Sequence, residues 1–267
     1  MGKWLIVLAL ALSAEARESI DGVFRRIYSF DFDSARRESR DYAARHPEDP
    51  MGPAAVAAAG LFRELHRLGA LQGGGLGSRS FKEGSALAAD PGLRGEFDAA
   101  VATAERLAGA RLARDGRDRE ALLTMVVVSG LRRDYAALVD KKLRQSLEHI
   151  RASDRYARQL LAVDPEAADA YLNLGFSEYI VGSVPGVLRW AVKVDGVEGN
   201  KRRGMEQLAR AAVSGRFLKP FAQLLLAGML KKEGRREESA RWLRELVREY
   251  PENGVVREEL ARLERGG

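Results

Sequence analysis

Cysteine is absent from the 267 residues, which excludes disulfides, thiolate metal sites and a lipid-modified N-terminal cysteine. Histidine occurs only as His46, His66 and His149, none at metal-ligand spacing from another or from a paired carboxylate, so all three read as structural or surface residues. The longest apolar run, Leu5–Leu12, is well short of the roughly 20 residues a membrane-spanning helix needs. Neither sign of charge dominates: 44 Lys+Arg face 38 Asp+Glu, mixed along the whole chain, whereas a nucleic-acid binder gathers its excess into one patch or stripe. Nucleic acid is therefore not an expected partner.

Signatures of catalysis and cofactor binding are missing as well. Gly73-Gly74-Gly75 and Gly77 precede Ser78, but a phosphate loop needs lysine and serine or threonine after its last glycine and a strand ahead of it. Asp21, Asp31, Asp33 and Asp41 lack the glycine and terminal glutamate of a calcium loop, and Asp31 or Asp33 is better read as a helix N-cap. No serine stands in a G-x-S-x-G elbow. Glu237 and Glu238 alternate with Arg235, Arg236 and Arg241 as on a solvated helix face. The expectation is a non-enzyme with no cofactor and no metal.

What is present begins with Met1–Ala16: Lys3, the apolar Leu5–Leu12, then Ser13-Ala14-Glu15-Ala16. A basic start, an apolar centre and an A-x-A end make a signal peptide and predict export to the periplasm or cell envelope. The other reading of this run is the first turns of a buried helix.

Alanine, leucine, arginine and glutamate dominate the remainder, and strand signals are almost absent, so 17–267 is expected to be one all-α domain. Helices are predicted over Ile20–Tyr28, Phe32–Arg45, about Met51–Leu68, Glu96–Ala113, Arg117–Leu138 with a break near Gly130, Lys141–Ala162, one around Tyr171–Gly175, Gly204–Ala212, a pair from Pro220 to Tyr250, and Val255–Leu263. Two irregular insertions interrupt them, about Gly69–Gly95 and Tyr179–Asn200. Proline marks three closing turns of similar grammar: His46-Pro47-Glu48-Asp49, Val163-Asp164-Pro165-Glu166 and Tyr250-Pro251-Glu252-Asn253.

After the second of these turns, Tyr171, Leu174 and Gly175 place an aromatic, a leucine and a glycine on one helix face. Leu226, Ala227 and Leu230 take equivalent places in the unit from Pro220, followed by Ser239, Leu243 and Leu246. In these residues the chain resembles the tetratricopeptide-repeat family, whose 34-residue repeats are helical hairpins. It also resembles exported bacterial repeat proteins with irregular repeats and no assigned role. The resemblance implies a right-handed superhelix, or solenoid, of about five antiparallel helix pairs, and a scaffold that binds a protein or peptide in its curved face. A carrier of a small apolar ligand, its cavity roofed by the insertions, is the alternative.

Partner contact is expected at the second insertion, through Val187, Leu188, Arg189, Trp190 and Lys193. Gly182, Gly186, Gly196 and Gly199 keep that segment from regular helix, so its apolar groups need something to hold them. Trp190 is either core or an exposed anchor. Lys201, Arg202 and Arg203 would then add attraction for an acidic partner or for an anionic lipid surface at the membrane periphery.

Overall fold

The computed structural model describes residues 19–71, 87–185 and 197–266, and within them holds eleven α-helices, one π-helical turn and no strand. Met1–Ala16 lies outside the described residues. Helix α1 (Ile20–Tyr28) pairs with α2 (Phe32–Arg45), α3 (Met51–Arg67) with α4 (Pro91–Arg114), and α5 (Arg119–Asp134) with α6 (Leu143–Val163). Then α7 (Ala170–Ser183) pairs with α8 (Lys201–Ser214), and α9 (Lys219–Lys232) with α10 (Arg236–Glu249), before α11 (Gly254–Glu264). Each helix touches chiefly its neighbours in chain order, the arrangement of a helical-hairpin solenoid.

Polar caps set the starts. Ser19 accepts from the Gly22 amide at 3.1 Å, Asp31 from Ser34 at 3.3 Å, and Asn253 from Val256 at 3.1 Å. Pro91 stands in the first turn of α4 behind Asp90, whose carboxylate takes the Gly92 and Leu93 amides. That helix therefore starts five residues before the predicted Glu96, with Gly92 and Gly95 inside it. The second insertion shortens too, because α7 runs on to Ser183.

The predicted break at Gly130 does not occur. Helix α5 passes through it, carried by the buried Val126, Val127, Val128 and Leu131 on either side; a Cβ at Gly130 would make only an ordinary contact, 3.4 Å from Asn173 Oδ1. The irregularity falls later, at the π turn Tyr135–Val139, where the Asp140 amide bonds the Tyr135 carbonyl at 3.0 Å and Lys141 takes φ 58°.

Two layers follow from burial. Helices α3, α5, α7 and α9 lie inside: from Met51 to Leu65 every residue of α3 but Arg63 is buried, and α5 is similar. The even-numbered helices bury one stripe and turn charge outward, as α10 does with Ser239, Ala240, Leu243 and Leu246. In the fourth hairpin, Gly175 and Gly204 allow the backbones to meet, as the repeat resemblance implies for Gly175. A Cβ on Gly175 would lie 2.6 Å from the Gly204 carbonyl oxygen, and one on Gly204 2.7 Å from that of Gly175.

The ends of the stack meet. Phe24 packs on Phe217 with ring centres 4.7 Å apart, and Tyr28 touches Phe62 and Tyr250 at 5.5 and 6.0 Å. The Tyr28 hydroxyl donates to the Phe217 carbonyl at 3.0 Å, and Asn253 donates to the Tyr28 carbonyl at 2.9 Å. Outside this seam Arg216 grips Asp21 through two bonds of 2.9 and 3.0 Å. Side chains of α1, α3, α5, α7 and α9 converge on a central void of only about 20 Å³. The middle of the inner face is thus packed by the chain's own residues and is not an open trough.

Candidate functional site

Two inner helices carry a lone glutamate in otherwise apolar surroundings, and both glutamates do the same work. Glu64 of α3 is fully buried; it takes two bonds from Arg67, 2.7 and 2.8 Å, and the Asp90 amide at 2.9 Å. Glu178 of α7 pairs with Arg203 and takes the Gly199 and Asn200 amides, each at 3.0 Å. Burial alone would raise both carboxyls. For Glu64 the Arg67 bonds and the Asp90 amide bring it below the ordinary range; for Glu178 the Asn200 amide and Arg203 do so. Each clamp fastens the start of an outer helix to the inner helix before it, so both insertions leave from and return to a fixed frame.

Between these clamps lies an apolar recess of about 70 Å³, walled by α3, the π turn, α7 and α9. Leu65, Leu138, Phe176, Ile180, Phe221 and Met229 line it, with Gly228 on the α9 side and Lys232 at its lip. Tyr179 forms one edge. Its hydroxyl donates to Glu233 at 2.9 Å, and the Lys201 and Lys232 ammonium groups stand 5.9 and 6.0 Å from its ring centre. Lys201 also bonds Glu233 at 2.9 Å.

Behind the recess Ser177 donates to Asp154 at 2.6 Å, while the second carboxylate oxygen of Asp154 is buried without a partner. Burial pushes this carboxyl up to about 6, against the opposing pull of Ser177, Arg158 and Arg133, and with a small push from Glu178. In the unfolded chain it titrates near 3.9, so the native state holds the extra proton between those values. The stability linked to it is complete below about pH 4 and is lost as pH rises through about 6, a change of roughly 3 kcal/mol. Asp154→Asn is expected to leave stability unchanged at pH 4 and raise it by about 2 kcal/mol at pH 8, read as the variant-minus-parent difference in urea unfolding. An equal difference at both pH values would show that Asp154 ionises normally.

The predicted contact residues Val187, Leu188, Arg189, Trp190 and Lys193 lie outside the described residues. Of the cations expected to draw a partner, Lys201 and Arg203 instead hold Glu233 and Glu178, and Arg202 is exposed. Among the histidines, His46 caps α2 and stacks on Tyr42 at 4.4 Å, while His66 sits 5.4 Å from both Phe30 and Phe32. Asp31 is an N-cap and Asp33 pairs with Arg63 at 2.7 Å. Among the described residues no group of three or more His, Asp or Glu could hold a metal ion, and no helix is long and apolar enough to cross a membrane. The clamps went unforeseen, though Glu178 within YLNLGFSEYIVG was a visible signal: a solitary charge in an inner-helix pattern needs a partner.

No protein-family model matches the chain. No curated protein matches it either. Among solved structures the chain is similar to a thermophilic TPR protein of Thermus thermophilus, with a TM-score of 0.47 and 15% identity over 92% of this chain and 98% of that one.

Proposed function

We propose that the chain is a non-enzymatic scaffold that binds a protein or peptide, exported to the bacterial periplasm or cell envelope. The apolar recess carries this reading: the hairpin stack holds open, between two fixed clamps, an apolar cavity with a lysine at its lip. Because the middle of the inner face is packed, the proposed point of engagement is the mouth of this recess rather than the curved face. Export rests on Lys3, Leu5–Leu12 and the Ala14-Glu15-Ala16 end. The carrier alternative is less well supported: the apolar recess holds about 70 Å³, and two larger clefts, of about 510 and 520 Å³, are lined in good part by charged residues.

Cross-linking and purification from native envelopes tests both parts. The expected product is this protein in near-equal amount with one other protein, its own N-terminus near Arg17. A retained small molecule without a protein partner would overturn the scaffold in favour of the carrier. An intact Met1 in a soluble cytoplasmic fraction would overturn export.

A further inference from the structure

Charges that are mixed along the sequence are sorted by the helical period. In α6, Arg144, Glu148, Arg151, Arg155, Arg158 and Ala162 follow one another at steps of four and three residues, so they form a single row, and all six are exposed. The row stands opposite Ile150, Ser153, Ala157 and Leu160, which are buried. Its four arginines extend over about 21 Å at about 1.5 Å per residue. Glu148 is the one acid of the row, and the other acid of α6, Asp154, is buried. Lys141 and Lys142, both exposed, carry the positive charge on ahead of the helix.

The other outer helices lack such a row. Helix α10 sets Arg236, Arg241, Arg244 and Arg248 against as many glutamates, and α2 and α4 are balanced to within one charge. Helix α8 has an excess of cations, but Lys201 and Arg203 hold Glu233 and Glu178, Arg202 stands 3.9 Å from Glu206, and Arg210 lies over the Tyr171 ring at 4.9 Å.

A guanidinium presents a planar fork that fits phosphate oxygens, so a row of four suits an array of phosphates. A single nucleic-acid strand would also need aromatic platforms for its bases. The one aromatic of α6, Tyr156, is half-buried with Arg155 over its ring at 5.0 Å. An apolar side chain close by favours lipid instead: Val213 of α8 is 64% exposed and shares a cleft with Pro165, just past the end of α6.

We infer that the outer face of α6 docks on an anionic lipid surface, the row from Arg144 to Arg158 lying along the headgroup phosphates. No residue of the row lines the apolar recess, so membrane and protein partner use separate surfaces. This goes beyond the scaffold reading, and the preference for lipid over nucleic acid rests partly on its envelope location.

Co-sedimentation of the full chain with vesicles tests it, using phosphatidylcholine alone or with about 30% phosphatidylglycerol. Binding is expected only to the anionic vesicles and should be lost as salt rises from about 0.05 to 0.5 M. Arg151→Gln with Arg155→Gln should weaken it about 25-fold, at about fivefold for each basic residue near a charged lipid surface. Arg241→Gln with Arg248→Gln removes the same charge from α10 and should change it less than about twofold, since α10 is not the docking face. Glu148→Gln should strengthen binding about threefold to fivefold, a gain that misfolding cannot produce. Circular dichroism checks the helix content of each variant. Equal losses for the two double variants would show that net charge acts without the row and overturn the inference. So would equal binding to neutral vesicles, or tighter binding to a short DNA duplex than to the anionic vesicles at the same salt. An exported protein indifferent to the vesicles overturns this inference alone; vesicle binding through the row by a protein that keeps Met1 in the cytoplasm overturns export alone.

Discussion

Replacing Gly175 or Gly204 with alanine is expected to destabilise the protein by about 3 kcal/mol or more, although glycine-to-alanine changes inside helices ordinarily stabilise by about 0.5–1 kcal/mol. The reversal comes from contact with backbone, which cannot swing aside. A Cβ on Gly175 would lie 2.6 Å from the Gly204 oxygen and 2.8 Å from the Leu208 nitrogen. On Gly204 it would lie 2.7 Å from both the Gly175 oxygen and the Tyr179 nitrogen. Relief requires α7 and α8 to separate along their length, which also loosens the Glu178 clamp one helical turn away. Gly95→Ala and Gly109→Ala are the matched controls, since a Cβ there meets nothing within 4 Å. Urea midpoints should rise for the controls and fall for Gly175→Ala and Gly204→Ala. Four changes of the same sign would remove the close helix crossing from the account.

The second large effect is expected at Arg133, only 1% exposed in the middle of the inner layer. Its guanidinium bonds Asp134 at 2.8 and 3.1 Å and Asn173 at 2.9 Å, and lies 4.3 Å over the Phe176 ring. Asn173 continues the chain of bonds to the Val126 carbonyl at 3.0 Å. Arg133→Met should cost about 3–5 kcal/mol, mainly because it strands the buried Asp134 carboxylate. Adding Asp134→Leu should recover most of that loss, as removing both charges avoids the desolvation that the pair must otherwise offset. If the double variant is as unstable as the single one, the Asn173 bond and the ring contact matter more than the pair. Both variants are measured by urea unfolding, with circular dichroism confirming helix content.

Local features were legible in the sequence where local physics decides them. The bounds of α1 and α2 follow from Ser19, Asp31 and the apolar spacing Ile20, Val23, Phe24, Ile27. The role of Gly175 follows from its place beside Leu174. The start of α4 was missed because Gly92 and Gly95 weigh against helix, while Asp90 and Pro91, a cap and a first-turn proline, outweigh them. Gly130 was misread for a related reason: glycine weighs against helix locally, while the buried apolar residues on either side of it carry α5 through. The seam between α1 and the last hairpins leaves no local mark, since Phe24 and Tyr28 have the same spacing whether they face a neighbour or the far end of the chain. The recess is likewise a product of four elements meeting, none of which announces it alone.

That seam has a consequence for how the chain is made. Tyr28 finds its carbonyl partner 189 residues later, so α1 leaves the ribosome long before Phe217 exists. At about 5–20 residues per second the interval is roughly 10–40 s. Through it Phe24 and Tyr28 lack their partners Phe217, Tyr250 and Asn253, and each hairpin added meanwhile can pack only on the one before. An open array built this way would tolerate loss of its last unit. Here, chains released before Tyr250 and Asn253 should be held by chaperones or degraded, and native-state hydrogen exchange should find the first helix opening together with the last.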